Sequence, residues 1–378
     1  MKWGQNNMRN PITKKIRAIC NRIKQKKMIS WEYAKFRDAR RVSIYSKVKL
    51  TEQEKTQIDN VFRNHYGKKI PYIWHKYYTA YTGKFDPYYF PELLFIPKFE
   101  YYLNCNQEYI SVFEDKNIIS LLANGVGIQT PKVIISCCNG VLRDEKSEIV
   151  SWDDITGIIP QGVFFAKPTV DSGSGKNCTL IDTTKDDAIG KLKKLGNNFV
   201  LQERIICSDS IRKIYSGSVN TFRIMTYYLN GELYYVPPIM RIGKNGSFVD
   251  NAHAGGVFIA INKDGTLHEK AFTEFREEFY EHPNSHLVFK GYRIENFERV
   301  IQAALKMHSS LPQLGVINWD FTIDKNENPI LVEANTVGGS IWLFQMAWGC
   351  GAFGENTISV LEMIKRKDKE CVSKFFQK

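Results

Sequence analysis

No hydrophobic run in this sequence approaches the roughly 18 apolar residues that a membrane-spanning helix needs. The basic N-terminus is not followed by the apolar segment of a signal peptide, so no secretion signal is predicted. Eight cysteines are present, but none forms a CxxC pair and no Cys/His spacing is typical of a zinc site. We therefore expect a cytoplasmic protein with reduced thiols, and its 378 residues predict two or three structural units.

Acidic residues are scarce at the N-terminus. Residues 1–49 contain fifteen Lys or Arg but only two acids, Glu32 and Asp38, which gives this segment a net charge of +13. The whole chain carries +12, so the remainder is close to neutral. The basic pI therefore describes an N-terminal arm, and nucleic acid is not expected as a partner of the rest of the chain.

Four isoleucines in this arm, Ile12, Ile16, Ile19 and Ile23, follow helical spacing and lie on one face of a predicted helix. Lysines and arginines occupy most of the other positions. A basic amphipathic helix of this kind can bind an anionic membrane surface or an acidic partner. The same apolar stripe can instead dock the helix on the body of the protein, with the basic face in solvent.

Aromatic side chains are dense in residues 72–90, which contain nine Tyr, Trp and Phe residues. Such side chains suit sugar rings as well as protein cores, and core packing is the expected role. From about residue 116, helices alternate with antiparallel hairpins, one of which turns at Asn230-Gly231 between residues 219–229 and 232–242. This pattern predicts an α+β fold rather than a series of βαβ units.

A second hairpin, over residues 316–335, places two acids opposite each other. If a four-residue loop closes it, Asp324 faces Pro329 and Asp320 faces Glu333, with Cβ atoms about 5 Å apart. Like charges in this position destabilise a sheet, so a cation is expected between them, and Mg²⁺ prefers such oxygen ligands. A slip in register would instead place one acid in solvent.

A Gly/Ser loop follows Lys167, which ends a predicted strand. Its backbone amides and the Lys167 ammonium can bind phosphates. The loop is not a Walker A motif, because Val170 and Asn177 occupy positions that need Gly and Ser or Thr. A plain hairpin turn explains the loop equally well.

Two further features carry polar groups into apolar surroundings. Arg223 lies in the middle of a predicted strand, where it needs either a phosphate or carboxylate ligand or a structural salt bridge. The loop DNAHAGG, residues 250–256, combines small and polar residues and can let its backbone approach a ligand. His253 in this loop is more readily explained as structural than as catalytic.

The order of these motifs resembles that of the ATP-grasp superfamily. In detail the sequence resembles the sugar-transfer-associated ATP-grasp family, over roughly residues 70–345. The matching stretches are FDPYYFPELLF, FEYYLN, EDKN, FFAKP, SVNTFRI, DNAHAGG and WDFTIDKNENPILVEANTVGGS. The arm before about residue 60 lies outside the resemblance.

The resemblance implies an α+β ATP-grasp fold, in which two lobes clasp ATP, with a basic, helical and aromatic-rich N-terminal extension. It suggests four segments: a helical arm (1–60), an aromatic-rich substrate-side region (61–115), a first lobe with the Gly-rich loop (116–206) and a second lobe with the metal site (207–378).

The resemblance also implies a role for each site residue. The implied ATP ligands are Lys116, Lys167, Gly173, Ser174, Gly175, Gln202, Glu203 and Ile205, with Asp209 as the candidate for the ribose. The implied Mg²⁺ ligands are Asp320, Glu333 and Asn335. Arg223 and Lys167 would act in catalysis. The implied substrate contacts are Asn251, His253, Gly255, Gly256, Gly338, Gly339 and Ser340.

These roles predict an ATP- and Mg²⁺-dependent carboxylate–amine ligase that works through an acyl phosphate. A sugar-linked or amino-acid substrate in surface polysaccharide synthesis is expected. The alternatives are an ATP-grasp kinase, a non-catalytic nucleotide-binding protein and a nucleic-acid binder that uses the arm. The arm is a candidate for association with glycosyltransferases or with the inner face of the membrane.

Overall fold

The computed structural model describes residues 11–104, 110, 112–170 and 177–376, and it omits the side chains of 11–15, 17–18 and 371–376. The chain divides into two compact units, residues 1–105 with 340–378 and residues 106–339. This division differs from the four predicted segments, because the C-terminal helices belong with the N-terminal region. No described helix is both long enough and apolar enough to cross a membrane.

The first unit is helical. Its helices are Pro11–Lys35, Ala39–Tyr45, Glu52–Val61, Ile73–Thr82, Glu92–Leu94, Tyr101–Leu103, Trp342–Trp348 and Thr357–Phe376, with π-helical turns at Phe62–Tyr66 and Phe95–Glu100 and a 3₁₀ turn at Gly354–Asn356. Local sequence sets some boundaries. Thr51 and Glu54 form a reciprocal capping box that starts one helix, and Gly83, with φ of +73°, ends another.

The core of this unit contains most of the aromatic stretch. Trp74, Tyr77, Tyr78, Tyr81 and Tyr89 are all fully buried. Trp74 and Tyr77 also pack against the ring of Phe36. The expectation that this stretch packs in a core is therefore confirmed for these residues.

The second unit contains two antiparallel sheets. Its strands are β1 (Val133–Cys138), β2 (Val141–Asp144), β3 (Ile149–Val150), β4 (Val163–Pro168), β5 (Thr179–Asp182), β6 (Phe199–Glu203), β7 (Thr221–Leu229), β8 (Glu232–Tyr235), β9 (Ile239–Ile242), β10 (Val257–Ile261), β11 (Leu267–Phe272), β12 (Glu278–Phe279), β13 (Val316–Ile323) and β14 (Pro329–Asn335). The six-stranded sheet has the order β3-β2-β1-β6-β4-β5. The larger sheet has the order β12-β11-β10-β9-β7-β13-β14, and β8 also pairs with β7.

The helices of this unit are Lys116–Gly125, Ile155–Ile158, Ala188–Lys193, Asp209–Arg212 and Phe297–Ser309, with a 3₁₀ turn at Ala252–Ala254. The helix Phe297–Ser309 packs its apolar face on the larger sheet, where Phe297 and Phe222 are in ring contact. The six-stranded sheet has its own core, which includes Ile135, Phe164 and Phe199.

The region after Asn230 differs from the single hairpin that the sequence predicted. Residues 232–242 form two strands, β8 and β9, which pair with different parts of β7. Pro237 and Pro238 separate them, because proline cannot donate a ladder hydrogen bond. This break leaves β9 to place Arg241 opposite Thr221 of β7.

Candidate active site

The β13–β14 hairpin brings Asp320 opposite Glu333, as predicted. The predicted pairing of Asp324 with Pro329 is wrong, because Pro329 faces Ile323. The turn is one residue longer than expected, and a one-residue bulge at Val332 then shifts the ladder back. The two changes compensate each other before the ladder reaches Asp320.

Asp320 is buried and bound by two arginines. Arg223, which faces Asp320 from β7, donates from Nε and Nη2 to its two oxygens, each at 2.7 Å. Arg241 Nη2 lies 2.9 Å from Asp320 Oδ2. Burial alone would raise the pKa of Asp320, but the charges of Arg223 and Arg241 outweigh it and hold the pKa below its usual value. Asp320 is therefore ionised at neutral pH.

The network continues to Asp250, the first residue of the DNAHAGG loop. Arg241 Nη2 lies 3.5 Å from Asp250 Oδ1, and both Nε and Nη2 donate to Thr221 Oγ1. The backbone amide of Thr221 donates to Asp250 at 2.9 Å. Sequence reasoning missed Arg241 and Asp250. Arg241 showed the same signal as Arg223, a charge within an apolar strand.

Glu333 belongs to a second group of charges on the same hairpin. Its Oε1 lies 3.3 Å from Lys116 Nζ, and its side chain is 28% exposed. Lys167 Nζ donates to the carbonyl of Val332, the bulge residue, at 3.5 Å. Burial lowers the pKa of the Lys167 ammonium to about 8, although Glu333 acts in the opposite direction. The two predicted phosphate-binding lysines therefore meet at one metal-ligand candidate.

A narrow cleft joins these residues to the predicted nucleotide site. Lys116, Lys167, Gln202 and Glu333 all line it, together with apolar groups such as Leu331. Gln202 is buried on β6, where it faces Phe165 of β4. The cleft thus collects predicted ATP and metal ligands from both sheets.

Three other predicted nucleotide ligands lie outside the lining of this cleft. Glu203 is exposed at the end of β6, 4.0 Å from Lys132, and Ile205, two residues later, is half-buried. Asp209 begins a short helix, where it is exposed and pairs with Arg212 at 3.3 Å. The ribose assignment of Asp209 stays a prediction without geometric support. Gly173, Ser174 and Gly175 lie outside the described residues.

The DNAHAGG loop is held in a compact turn. Asn251 Oδ1 accepts from the amide of His253, and His253 Nδ1 lies 2.7 Å from Glu274 Oε2. Gly255 has a φ of +92°. A Cβ on Gly256 would meet the carbonyl of Asp250 at 2.5 Å, so only glycine fits there. The loop's shape therefore depends on its small residues and on Asp250.

The predicted substrate loop after the metal motif spans the boundary in the chain between the two units. Gly338, with φ of +70°, and Gly339 end the second unit. Ser340 begins the C-terminal part of the helical unit, where its Oγ lies 3.4 Å from Glu92 Oε1. The amide of Ile341 donates to the same oxygen at 3.0 Å. Sequence reasoning did not single out Glu92, although it lies in the matching stretch FDPYYFPELLF.

The predicted metal ligands provide the oxygen donors that Mg²⁺ prefers. Asp320 and Glu333 supply carboxylates, and Asn335 on β14 brings an amide whose Nδ2 lies 3.5 Å from Asp320 Oδ2. Among the described residues, no group of three or more His, Cys, Asp and Glu is arranged for a metal ion. By its chemistry this donor set fits Mg²⁺, which would share the oxygens of Asp320 with Arg223 and Arg241 and would take its other ligands from phosphates and water.

Comparison with protein families matches residues 97–360 to the family described as sugar-transfer associated ATP-grasp. The match covers more than half of the chain. The protein is thus an ATP-grasp protein, and the predicted α+β ATP-grasp fold is confirmed. The chain belongs to the sugar-transfer associated ATP-grasp family.

Solved structures with similarity to this chain include three ligases. The D-Ala:D-Ser ligase VanG of Enterococcus faecalis is 15% identical, with a TM-score of 0.41, over 67% of this chain and 61% of that one. An L-amino acid ligase from Bacillus licheniformis is 15% identical, with a TM-score of 0.36, over 66% and 48%. The D-alanine–D-alanine ligase of Bacillus anthracis is 17% identical, with a TM-score of 0.38, over 70% and 69%. This chain spans less than two thirds of the length of the first two. A search of curated proteins found no match.

Proposed function

We propose that this protein is an ATP-dependent carboxylate–amine ligase that works through an acyl phosphate. One observation carries the proposal. Four cationic side chains, Lys116, Lys167, Arg223 and Arg241, gather around three carboxylates, Asp250, Asp320 and Glu333. We call these seven residues the charged cluster. Its excess of one positive charge suits a polyanion such as a nucleotide triphosphate.

Each part of the charged cluster has a task in this proposal. Lys116 and Lys167 bind the phosphate oxygens, where an ammonium provides a compact positive charge. Asp320, Glu333 and Asn335 would hold Mg²⁺, which supplies positive charge against the phosphates when bound. Arg223 stabilises charge that develops on the transferred phosphoryl group, while Arg241 keeps Asp320 ionised.

The proposed reaction has two steps. A carboxylate oxygen of the first substrate attacks the γ-phosphorus, the bond to the β-phosphate oxygen breaks, and ADP leaves. The nitrogen of the amine then attacks the acyl carbon, phosphate leaves, and the nitrogen loses a proton as the amide forms. The residues of the charged cluster contribute positioning and charge stabilisation, so no nucleophilic side chain is required.

The substrate class is also part of the proposal. The family description links these proteins to sugar transfer, and this supports a sugar-linked carboxylate or amine in surface polysaccharide synthesis. Fold-level similarity alone does not identify a substrate. Since the reaction consumes ATP, we place it in the cytoplasm.

The test measures release of ADP and phosphate from Mg²⁺-ATP with pools of carboxylates and amines. We expect release that needs both pools and falls at least about 100-fold in Glu333→Gln. The matched control is Glu327→Gln, which changes a glutamate at the turn of the same hairpin, next to Asn296. Nucleotide binding, measured in parallel, shows whether each variant keeps its fold.

Each result has a distinct meaning. ADP release with one pool alone and a stable phosphorylated product would establish a kinase and reject the ligase. Turnover that Glu333→Gln leaves unchanged would remove the charged cluster from the mechanism. Tight ATP binding without turnover in any pool would favour the non-catalytic nucleotide-binding alternative.

A further inference from the structure

The first long helix, Pro11–Lys35, exposes the three isoleucines of its apolar stripe whose side chains the structure describes. Ile16, Ile19 and Ile23 are 55%, 42% and 50% exposed. Every side chain from Ile19 to Lys24 is exposed. Within the described part of the chain, nothing packs on this part of the helix closely enough to bury any of these side chains.

The C-terminal half of the same helix and the residue after it are anchored. Gln25 and Glu32 are buried, and the following Phe36 packs on Trp74 and Tyr77. The helix is thus held at one end, while Ile16, Ile19 and Ile23 near the other end are not covered by any described residue. Of the two uses that the sequence left open for this stripe, docking on the body is not observed for Ile16, Ile19 and Ile23.

The charge of this helix is almost entirely of one sign. Its sequence contains eight Lys or Arg and a single acid, Glu32. Glu32 is buried and pairs with Lys35 at 2.8 Å, so it offers no negative charge to a partner. Arg22, Lys24, Lys26 and Lys27 are all exposed close to the stripe. A partner for this surface must be both anionic and able to take up aliphatic side chains.

We propose that residues 11–27 form a membrane-binding helix that lies on an anionic lipid surface. In such a position the isoleucines enter the boundary between headgroups and acyl chains, while the basic side chains remain among the anionic headgroups. A nucleic acid would use the charges but would leave three exposed isoleucines without a role. The combination of stripe and charge therefore favours lipid, and it is independent of the reaction in the second unit.

The test uses the full-length chain and vesicles of phosphatidylcholine with 30% phosphatidylglycerol, in about 0.1 M salt. We expect co-sedimentation with these vesicles and little with pure phosphatidylcholine. Each basic residue near an anionic surface strengthens binding by roughly fivefold. The variant with Arg22, Lys24, Lys26 and Lys27 changed to Gln is therefore expected to bind at least about 100-fold more weakly.

A second variant, in which Ile16, Ile19 and Ile23 are all changed to Ser, tests the contribution of the apolar stripe. We expect at least a tenfold loss of vesicle binding, because these side chains provide the inserted apolar area. The matched control changes three exposed apolar residues of the second unit, Leu121, Ile149 and Val288, to Ser and should bind as wild type. Because all six residues are exposed, we do not expect their substitution to disturb the fold, and circular dichroism checks this.

Three outcomes would overturn the proposal. The first is equal binding to neutral and anionic vesicles. The second is normal vesicle binding by the isoleucine variant with loss only in the charge variant, which would indicate a polyanion site. The third is binding to duplex DNA or RNA at the same salt that is tighter than binding to vesicles.

Discussion

Two buried carboxyl groups, one in each unit, differ in charge although both are almost inaccessible to solvent. Asp320 is 2% exposed and Glu92 is 3% exposed. Two arginines bind Asp320 and hold its pKa below the usual value, against the effect of burial. Burial, together with the nearby charge of Glu32, raises the pKa of Glu92 to about 8.

The difference shows that the partners of a buried acid decide its charge. Arg223 and Arg241 keep Asp320 ionised, which a metal ligand requires. Glu92 instead accepts from the backbone amide of Ile341, and it is mostly protonated at neutral pH. Asp320 therefore carries the negative charge that the proposed Mg²⁺ site needs, whereas Glu92 holds the backbone at Ile341.

The largest expected effect is on Asp320. Arg223→Leu leaves this carboxylate with Arg241 as its remaining arginine, and breaking a buried pair costs about 3 kcal/mol or more in the free energy of unfolding. Urea unfolding measures this loss. The matched control is Arg212→Leu, which breaks the exposed pair with Asp209 and should cost under about 1 kcal/mol. Equal losses for the two variants would contradict the difference between buried and exposed pairs.

The next effect concerns Glu92 and pH. Between pH 4.5 and about 8 the folded protein keeps a proton on Glu92 that the unfolded chain has released. The free energy of unfolding therefore falls as the pH rises through this range, by at most about 1.4 kcal/mol per pH unit from this group. Glu92→Gln retains an oxygen acceptor for the Ile341 amide and cannot ionise, so its stability should depend less on pH.

Urea unfolding at pH 5, 6, 7 and 8 tests this prediction. Relative to wild type, Glu92→Gln should gain stability as the pH rises, whereas Glu52→Gln, an exposed change in the same unit, should follow wild type. If the free energy of unfolding changes with pH in the same way for Glu92→Gln and wild type, Glu92 is ionised in the folded protein.

The smallest effect is on nucleotide affinity. Lys167 has a pKa near 8 before any ligand binds, and phosphates favour its charged form. The Kd for Mg²⁺-ATP should therefore rise above pH 8, by at most about tenfold per pH unit from this lysine. In Lys167→Arg the guanidinium stays charged, so the Kd for Mg²⁺-ATP should depend less on pH.

Calorimetric titration from pH 7 to 9.5 measures this dependence, and Lys132→Arg, at an exposed lysine directly before β1, is the control. If the Kd rises equally with pH in wild type and in Lys167→Arg, another group causes the pH dependence.

The two-residue period of strands predicted the Asp320–Glu333 pairing, which holds because the longer turn and the bulge compensate each other. The shared role of Lys116 and Lys167 was implied by the family resemblance. The sequence was not sufficient to predict the bulge at Val332, because it determined neither the length of the loop nor the register of the ladder. The ties of Arg241 to Asp320 and Asp250 were also not predicted. They depend on which strands become neighbours, and this is a property of the whole sheet.

The contacts of Glu92 were not predicted either, because they join distant parts of the chain. Its partners, Ser340 and Ile341, lie almost 250 residues away in sequence, and no local pattern connects them. The aromatic stretch was easier to interpret, because its apolar character alone predicts burial.

The turn and the bulge of the β13–β14 hairpin together impose a rule of parity. Twelve residues, an even number, separate Asp320 from Glu333, whereas the loop itself, Asp324–Asn328, has an odd number. A five-residue loop without a bulge pairs only residues that an odd number of positions separates, and it would place Val332 opposite Asp320. The extra residue at Val332 restores the even count that separates Asp320 from Glu333. Loss of the bulge, with the loop retained, would therefore place Glu333 opposite Trp319 and turn its side chain to the other face of the sheet, away from Asp320.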